Sequence, residues 1–277
     1  MFKLFPYSGN KLWFSEQFNS LAKNCNNVIE PFAGSAAISL NSNADNIYIN
    51  DFDKNIVIMF KAVQQASYKD YMDIFKKVKE DFGDIRESKE AYYEYRNWFN
   101  KKFYNNESVS SNYTAGIHLL ILAGAVINSM LRFSKNGMNQ SWGHRQFIID
   151  EESWNHFKQL NAIITNYDFF SDLYQKLISH WSMSNKDVVV FMDPPYEFRE
   201  MSYNRGFGVN QFIDTIKSKD FCPNATLMYT DFNNDVSDEL LNHGWTKNII
   251  REMKSTSPNR KNENKTGDEV LFIRNPL

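Results

Sequence analysis

The residues Asp193-Pro194-Pro195-Tyr196 form a tetrapeptide whose groups could hold an amine for chemistry. The Asp193 carboxylate and the Pro194 carbonyl are hydrogen-bond acceptors, and two consecutive prolines fix the backbone that carries them. Such acceptors can draw the protons of an exocyclic amine, so that the nitrogen lone pair of a base such as adenine becomes available. Tyr196 adds an aromatic face for stacking. The tetrapeptide therefore indicates group transfer to the nitrogen of a planar base, a reaction that depends mainly on alignment.

The structural alternative is a Pro-Pro turn that ends a strand and has no chemical role. The residues just before it argue against this alternative, because Val188 to Met192 is apolar on both faces, as in a central parallel strand. In open α/β sheets, ligands bind at the carboxyl ends of the strands. We therefore expect Asp193 at a ligand-binding edge.

A second group of residues predicts a small-molecule site. The loop Pro31-Phe32-Ala33-Gly34-Ser35 follows a β-type run and precedes a helical pattern, and it has one glycine where a dinucleotide loop has three for a pyrophosphate. A ligand without phosphates suits it better. Asp51, seventeen residues after Gly34, ends the next β-type run and could bridge two ribose hydroxyls. The alternative is a plain strand–turn–helix with a chance acid. Upstream, the glycine turn at residues 6–11 carries an aromatic residue and a lysine that could hold a carboxylate, and its alternative is an ordinary exposed loop.

The elements that must position these residues alternate between strands and helices, which predicts a doubly wound α/β fold with a mixed seven-stranded sheet. Helical patterns include Lys11 to Ala22 and Asp238 to Asn242. The seven β-type runs are Val28–Glu30, Asn46–Asp51, Ala162–Thr165, Asp187–Met192, Ala225–Thr230, Thr246–Ile250 and Glu269–Ile273.

Residues 54–161 break this alternation. They are rich in helical patterns, with amphipathic stretches at Tyr68 to Asp81 and Lys89 to Phe103. We predict an insert at 54–161, between the second and third strands, and a catalytic domain made of residues 1–53 and 162–277. Asn105 to Tyr113 is expected to be a loop, and Ser255 to Gly267 a hairpin loop.

The composition limits the possible classes of protein. The chain has 277 residues, of which 42% are hydrophobic and 16% aromatic, so it is expected to be an ordered globular protein. A net charge of −2 gives no general basic character, so any basic surface must be local. The two cysteines give neither a zinc spacing nor a disulfide framework, and no metal site is expected. The apolar stretch Ile117 to Ile127 is too short for a membrane span, so we expect a cytoplasmic protein without a membrane partner.

Together these residues resemble the Dam group of DNA adenine-N6 methyltransferases, which includes the enzymes of T-even phages. The order of parts is similar over nearly the whole chain. In that order, the chain has a Tyr-x-Gly-Asn-Lys element, a Pro-Phe-Ala-Gly loop, an acid after the second strand, an insert and the Asp-Pro-Pro-Tyr tetrapeptide. The resemblance also includes Asn128–Phe133, Asn136-Gly137, Trp142–Arg145 and Thr266–Val270.

The resemblance implies a Rossmann-like methyltransferase fold with a helical DNA target-recognition insert. It implies methyl transfer from S-adenosylmethionine to a flipped adenine in duplex DNA, by a bacterial or phage-encoded enzyme that is a monomer or weak dimer and could serve restriction-modification. GATC is the first expectation for the target, with CATG or a longer site as alternatives. The chain departs from the group at two places. Gly34-Ser35 replaces a common glycine pair, which is a tolerable change, whereas Ser141-Trp142-Gly143 replaces a common Pro-Phe-Gly and keeps the target open.

The resemblance also implies roles for single residues at the cofactor. Lys11 would pair with the cofactor carboxylate and Asp51 with its ribose, while Asp168 and Phe169 would hold its adenine. The full set implied to contact the cofactor is Tyr7, Lys11, Phe32, Ala33, Gly34, Ser35, Asp51, Asp168, Phe169 and Asp193.

A DNA-binding surface is predicted where acids are absent. No Asp or Glu occurs between Ser108 and Ile149. Arg145 could read a guanine, Arg132 and Lys135 could contact phosphates, and an alternative for Lys135 is an ordinary solvated loop. The predicted DNA-binding residues are Arg132, Lys135, Asn136, Trp142, His144 and Arg145. A second basic stretch that could clamp the flanking duplex contains Arg251, Lys254, Arg260, Lys261 and Lys265.

Two other functions compete with DNA adenine methylation as interpretations of the sequence. One is methylation of RNA adenine or protein glutamine, although those families usually begin the tetrapeptide with Asn. The other is a DNA-binding protein that has lost catalysis, against which the presence of Lys11, Asp51 and Asp193 argues.

Overall fold

A computed structural model describes residues 1–104, 113–170, 178, 187–195, 208–254 and 266–276. Its strands are β1 (Asn27–Glu30), β2 (Asn46–Asn50), β3 (Phe133–Ser134), β4 (Gly137–Met138), β5 (Ala162–Thr165), β6 (Val188–Met192), β7 (Thr226–Phe232), β8 (Thr246–Lys254) and β9 (Thr266–Arg274). Seven of them form one sheet in the order β5-β2-β1-β6-β7-β9-β8, and β3 pairs with β4 alone. The predicted α/β class and the mixed seven-stranded sheet are confirmed.

The chain divides into two compact units. The first unit contains Met1–Leu21 and Ala33–Asn166, and the second unit contains Ala22–Phe32 and Tyr167–Leu277. These two units are defined by which residues pack together. The predicted catalytic domain, 1–53 with 162–277, and the predicted insert, 54–161, are defined by function instead, so their boundaries stay a prediction.

In the second unit, β6 is the central strand. It pairs in parallel with β1 and β7, and β9 continues the sheet antiparallel to β7. All five residues of β6 have side chains with no exposed surface, as the two-faced apolar run predicts. The strand therefore fixes the position of Asp193, which follows its last residue.

The last two strands of the second unit form a hairpin. β8 and β9 pair antiparallel as far as Lys254 with Thr266. Residues 255–265 of the predicted loop lie outside the described part of the chain. The prediction was wrong for Thr266 and Gly267, which belong to β9, because strand pairing at the end of the sheet accommodates polar residues that a hydrophobicity pattern assigns to a loop.

The first unit contains most of the described helices, and five of them lie between β2 and β5 in sequence. Asp53, Ser67 and Asp150 cap three of these helices, each with a side chain that accepts a backbone N–H of the first turn. No described helix is long and apolar enough to cross a membrane. The α-helices are α1 (Ser15–Leu21), α2 (Ala37–Leu40), α3 (Lys54–Gln65), α4 (Tyr68–Phe82), α5 (Lys89–Phe99), α6 (Tyr113–Ala123), α7 (Glu151–Gln159), α8 (Val209–Ile216) and α9 (Asp235–Asp238).

Several helix boundaries differ from the predicted ones. The stretch predicted from Lys11 begins as a 3₁₀ turn at Leu12–Phe14 before α1, and most of the predicted 238–242 helix is the 3₁₀ turn Glu239–His243. α5 ends at Phe99 and continues as a π-helical turn, Asn100–Tyr104. Of the predicted loop at 105–113, residues 105–112 lie outside the described part of the chain, and Tyr113 begins α6.

The core of the first unit is rich in aromatic residues. The Trp154 ring stacks on Tyr71 with centroids 5.1 Å apart, and its indole N–H donates to the Ala66 carbonyl at 3.3 Å. Phe60 of α3 stacks on Phe157 of α7 at 5.6 Å. Because all four rings are almost completely buried, they hold α3, α4 and α7 together through apolar contact.

Candidate functional site

The predicted loop around Gly34 packs between an aromatic ring and a carboxylate in the first unit. Gly34 has φ +51°, and a Cβ placed on it would lie 2.6 Å from Cε1 of Tyr7. The Gly34 N–H donates to Oδ2 of Asp51 at 2.8 Å. The structure therefore brings Tyr7, Gly34 and Asp51 together, and glycine is required for this close approach.

Asp51, which follows β2, is a partly buried acceptor. Its Oδ1 accepts the Asp53 N–H at 2.8 Å, and Asn166 donates from its amide to the Asp51 carbonyl at 2.7 Å. Burial raises the pKa of Asp51 to about 7, although the two backbone N–H groups that bond to it act in the opposite direction. Each carboxylate oxygen has further lone-pair capacity, so the group can still accept ligand hydroxyls.

The remaining predicted cofactor residues of the first unit are also buried. Lys11 is 4% exposed and its Nζ donates to the Gly9 carbonyl at 3.3 Å. The Ala33 N–H donates to the Asn50 carbonyl at the end of β2 at 2.9 Å, and Ser35 is buried beside it. The loop and the Asp51 carboxylate fit a ligand that has a ribose and no pyrophosphate, because the loop lacks a glycine-rich phosphate nest.

In the second unit, Asp193 lies half-buried just after β6, and Pro194 behind it is buried. Oδ1 of Asp193 accepts a hydrogen bond from Oγ1 of Thr230 at 2.8 Å. Thr230 belongs to β7, which is parallel to β6, so both residues lie at the carboxyl end of neighbouring strands. This bond orients the carboxylate. Tyr196, the last residue of the tetrapeptide, lies outside the described residues.

The predicted aromatic residues of the second unit pack together. The Phe32 ring lies 5.0 Å from Phe169 and 5.7 Å from Phe212. Phe169 is 4% exposed, and Oδ1 of Asp168 accepts the Phe170 N–H at 3.0 Å. The contact between Phe32 and Phe169 is a finding, whereas the role of Asp168 and Phe169 at a cofactor adenine stays a prediction.

Three of the predicted DNA-binding residues lie on the β3–β4 hairpin. Lys135 and Asn136 form its two-residue turn and are exposed. Arg132 lies at its base, exposed, with Nε donating to Oδ1 of Asn139 at 3.0 Å. The exposed tip therefore presents a cation and an amide in the acid-free part of the sequence. The sequence did not predict this hairpin, because strands of two residues carry no periodic pattern.

The other three predicted DNA-binding residues follow the hairpin. Trp142 is partly buried and its indole N–H donates to the Ile85 carbonyl at 3.0 Å, while His144 and Arg145 are exposed. Nη1 of Arg145 donates to Oγ of Ser129 at 2.7 Å, and the Ser129 carbonyl accepts the Ser8 N–H at 2.9 Å. Arg145 is thus held next to the N-terminal loop of the predicted cofactor site.

The second basic stretch is mostly outside the described residues. Arg251 is exposed on β8. Lys254 is the last residue of β8, and Arg260, Lys261 and Lys265 lie outside the described residues. A DNA clamp at this stretch stays a prediction.

The structure adds two residues, Phe52 and Lys3, that the sequence did not identify as candidates for the functional site. Phe52 is 74% exposed directly after Asp51, and a large apolar residue after a strand-ending acid was a signal that could have identified it. Lys3 lies over the Phe147 ring at 5.1 Å, and burial together with the nearby Arg145 guanidinium lowers its pKa. Within the described ranges, no group of three or more His, Cys, Asp or Glu side chains could hold a metal ion.

Comparisons with known proteins give a consistent result. The family model of the D12 class N6 adenine-specific DNA methyltransferases matches residues 7–252. The chain is 27% identical over 214 residues to a DNA adenine methylase of Haemophilus influenzae, covering 74% of this chain and 68% of that protein. It is 24% identical over 287 residues to the type II methyltransferase M.CviBI of Paramecium bursaria Chlorella virus NC1A, covering 97% of each. It is 26% identical over 204 residues to the modification methylase StsI of Streptococcus sanguinis, covering 72% of this chain and 29% of that protein.

Proposed function

Because the chain belongs to the family of D12 class N6 adenine-specific DNA methyltransferases, we propose that it methylates N6 of an adenine in a short duplex DNA site, with S-adenosylmethionine as donor. The observation that carries the proposal is the Asp193 carboxylate, which follows the buried strand β6 and is oriented by the Thr230 hydroxyl. A preorganised acceptor in this position is what an exocyclic amine needs in order to become a nucleophile.

The donor, when bound, supplies an electrophilic methyl group on a sulfonium. Lys11 would pair with its carboxylate, Asp51 would accept its ribose hydroxyls, and the loop at Gly34 would line its methionine end. The Gly34 loop and the Asp51 carboxylate, which accepts the Gly34 N–H, support this assignment. The other residues proposed to contact the donor are Tyr7, Phe32, Ala33, Ser35, Asp168, Phe169 and Asp193.

Asp193 and the Pro194 carbonyl would accept hydrogen bonds from the two N–H groups of the adenine N6, which localises the nitrogen lone pair for in-line attack. The new N–C bond would form as the methyl–sulfur bond of the donor breaks, S-adenosylhomocysteine would leave, and one N6 proton would move toward the Asp193 carboxylate. Tyr196 would stack on the base. Because these groups cannot reach a base inside a duplex, the adenine must be flipped out of the stack.

The β3–β4 hairpin and the segment after it would hold the duplex. Arg132 and Lys135 would contact phosphates, and Arg145 would read a guanine through its two acceptors in the major groove. Asn136, Trp142 and His144 complete the proposed surface. GATC is the first proposed target, with CATG or a longer site as alternatives that the Ser141-Trp142-Gly143 departure keeps open.

A transfer assay tests the proposal. The purified chain is incubated with S-adenosylmethionine carrying a labelled methyl group and with duplexes that contain GATC, CATG or neither, together with matched RNA and a protein acceptor. We expect label on adenine N6 in DNA, and Asp193→Ala should abolish transfer while duplex binding remains. Wild-type turnover by Asp193→Ala, or labelling of RNA or protein instead, would refute the proposal.

A second measurement separates the enzyme from a DNA-binding protein without catalysis. DNA from cells that express the chain is sequenced as single molecules to find which motif gains N6-methyladenine. One methylated motif would identify the target. Duplex binding without any transfer at saturating donor would favour the non-catalytic alternative.

A further inference from the structure

A continuous series of contacts joins Asp51 to the β3–β4 hairpin, entirely within the first unit. Asp51 accepts the Asp53 N–H through Oδ1 at 2.8 Å. Asp53 in turn caps α3, and its Oδ1 accepts both the backbone N–H and the side-chain amide of Asn55, at 2.8 and 2.7 Å. The proposed ribose-binding carboxylate is therefore linked through Asp53 to the first turn of α3.

Tyr104 continues the series from α3 to the hairpin. Its hydroxyl donates to Oδ1 of Asn55 at 3.0 Å, and Asn55 is 4% exposed. Its ring lies parallel to Phe133 of β3, with an interplanar angle of 7° and centroids 6.1 Å apart. Burial raises the pKa of Tyr104 to about 12, so its hydroxyl stays protonated and keeps donating across the physiological range.

The π-helical turn that carries Tyr104 also holds the other strand of the hairpin. The Asn100 amide donates to the Met138 carbonyl at 2.8 Å, and the Met138 N–H donates to Oδ1 of Asn100 at 2.9 Å. Gly137 has φ +108°, and a Cβ on it would lie 2.4 Å from Oδ1 of Asn100. Glycine thus allows the side-chain amide to bond to the hairpin as a neighbouring strand would. Turns of this π type occur often at functional sites.

From these contacts we propose that Tyr104 is a positioning residue that couples occupancy at Asp51 to the pose of the β3–β4 hairpin on DNA. The inference rests on the proposed function, since Asp51 must bind the donor and the hairpin must bind the duplex. New hydrogen bonds from ribose hydroxyls to Asp51 would stabilise its contacts with Asp53 and the start of α3. The hydrogen bond between Asn55 and Tyr104, and the contact of the Tyr104 ring with Phe133, would transmit this stabilisation to the hairpin. Donor and duplex then strengthen each other's binding by the same factor.

The test measures this factor without catalysis. The dissociation constant of a labelled duplex is measured by fluorescence anisotropy with and without saturating S-adenosylhomocysteine, and that of S-adenosylhomocysteine is measured by calorimetry with and without duplex. We expect a coupling factor of about fivefold or more in the wild-type chain, equal in both measurements. In Tyr104→Phe, which keeps the ring and removes the hydroxyl, we expect it to fall below about twofold.

Tyr68→Phe is the matched control, because it removes a partly buried hydroxyl that donates to the Ile149 carbonyl at 3.1 Å in the same unit. It should leave the coupling factor unchanged. Phe133→Leu tests the same link from the hairpin side and should also lower the factor. A Tyr104→Phe chain that keeps wild-type coupling overturns the inference, as does a wild-type factor of one. If the wild-type chain still methylates DNA in either case, the proposed function stands and the coupling alone is wrong.

Discussion

The Thr230 hydroxyl of β7 donates a hydrogen bond of 2.8 Å to Oδ1 of Asp193, which directly follows the neighbouring parallel strand β6. Thr230→Val should lower kcat by about tenfold to a hundredfold with little change in KM for DNA, because the carboxylate loses a hydrogen bond that orients it and aligns the amine less often. Steady-state kinetics on the methylated duplex measure both constants. The fold should persist, since Asp193 is only half-buried and water can replace the lost partner.

Thr246→Val is a matched control for Thr230. Thr246 lies on β8, the last strand in the sheet order, and its hydroxyl donates to the Ile273 carbonyl of β9 at 3.3 Å. It should leave kcat unchanged. If Thr230→Val and Thr246→Val gave the same kcat, the orienting role of Thr230 would be wrong.

Asp51 predicts a pH dependence for donor binding. Ribose hydroxyls donate to the ionised carboxylate, and burial raises the pKa of this group to about 7. The affinity for S-adenosylhomocysteine should therefore increase by about tenfold from about pH 6 to about pH 8, as measured by calorimetry. Asp51→Asn should bind more weakly and with no such dependence. An affinity of the wild-type chain that is flat across this range would contradict the assignment.

The contribution of Asp51 to the free energy of unfolding should decrease as the pH rises, whereas donor affinity increases. The folded-state pKa of Asp51 lies above its ordinary value, so the folded chain favours the protonated form. Its contribution to the free energy of unfolding is present below about pH 4 and is lost as the pH rises through about 7. Thermal unfolding of wild type and Asp51→Asn without ligand checks this, since the difference between them should grow with pH over that window.

Gly34 predicts a steric effect on the donor site. In Gly34→Ala, the new Cβ would lie 2.6 Å from the Tyr7 ring, at a φ of +51° that disfavours a side chain. Tyr7 or the loop must move, so donor affinity should fall by about tenfold or more, as one misplaced contact can cost. Gly244→Ala is the control, because Gly244 also has a positive φ, +81°, and has nothing within 4 Å of the new Cβ. It should cost stability without a loss of donor affinity.

The loop at Gly34 and the acid after β2 could be predicted from the sequence, because each directly follows a short β-type run that forms a largely buried strand. The same holds for Asp193, which follows β6. Local patterns of this kind place a residue at the end of an element. The structure confirms the three strands, and the end of each strand lies within one residue of its predicted end. The roles of the residues stay predictions.

Contacts between distant residues could not be predicted in this way. Thr230 is separated from Asp193 by 37 residues, and Asn100 is separated from Met138 by 38. Neither contact has a periodic signal, because each depends on how two elements pack rather than on a pattern within one. The π-helical turn was also missed, since its sequence continues the helical pattern of α5 and gives no reason to end the helix at Phe99.

Arg145 and Lys135 predict two different effects on DNA binding. The Arg145 guanidinium is exposed and held by Ser129 at 2.7 Å, so it can present a fixed pair of donors to a guanine. Arg145→Ala should relax or abolish sequence choice, with a loss of roughly 1–3 kcal/mol for the preferred site. Methylation rates on duplexes that differ at each base of the target measure this preference. An unchanged preference would contradict the assignment.

Lys135, at the turn of the hairpin, should behave as a phosphate contact. Lys135→Ala should weaken binding to all duplexes about equally and reduce the slope of log affinity against log salt by about one. Anisotropy titrations at several salt concentrations, on cognate and non-cognate duplexes, separate the two variants. Because Lys135 is exposed at the tip and Arg145 is held by Ser129, the two cations should differ in this way even though both lie in the acid-free part of the sequence. Loss of sequence choice in Lys135→Ala would mean instead that the hairpin turn reads bases.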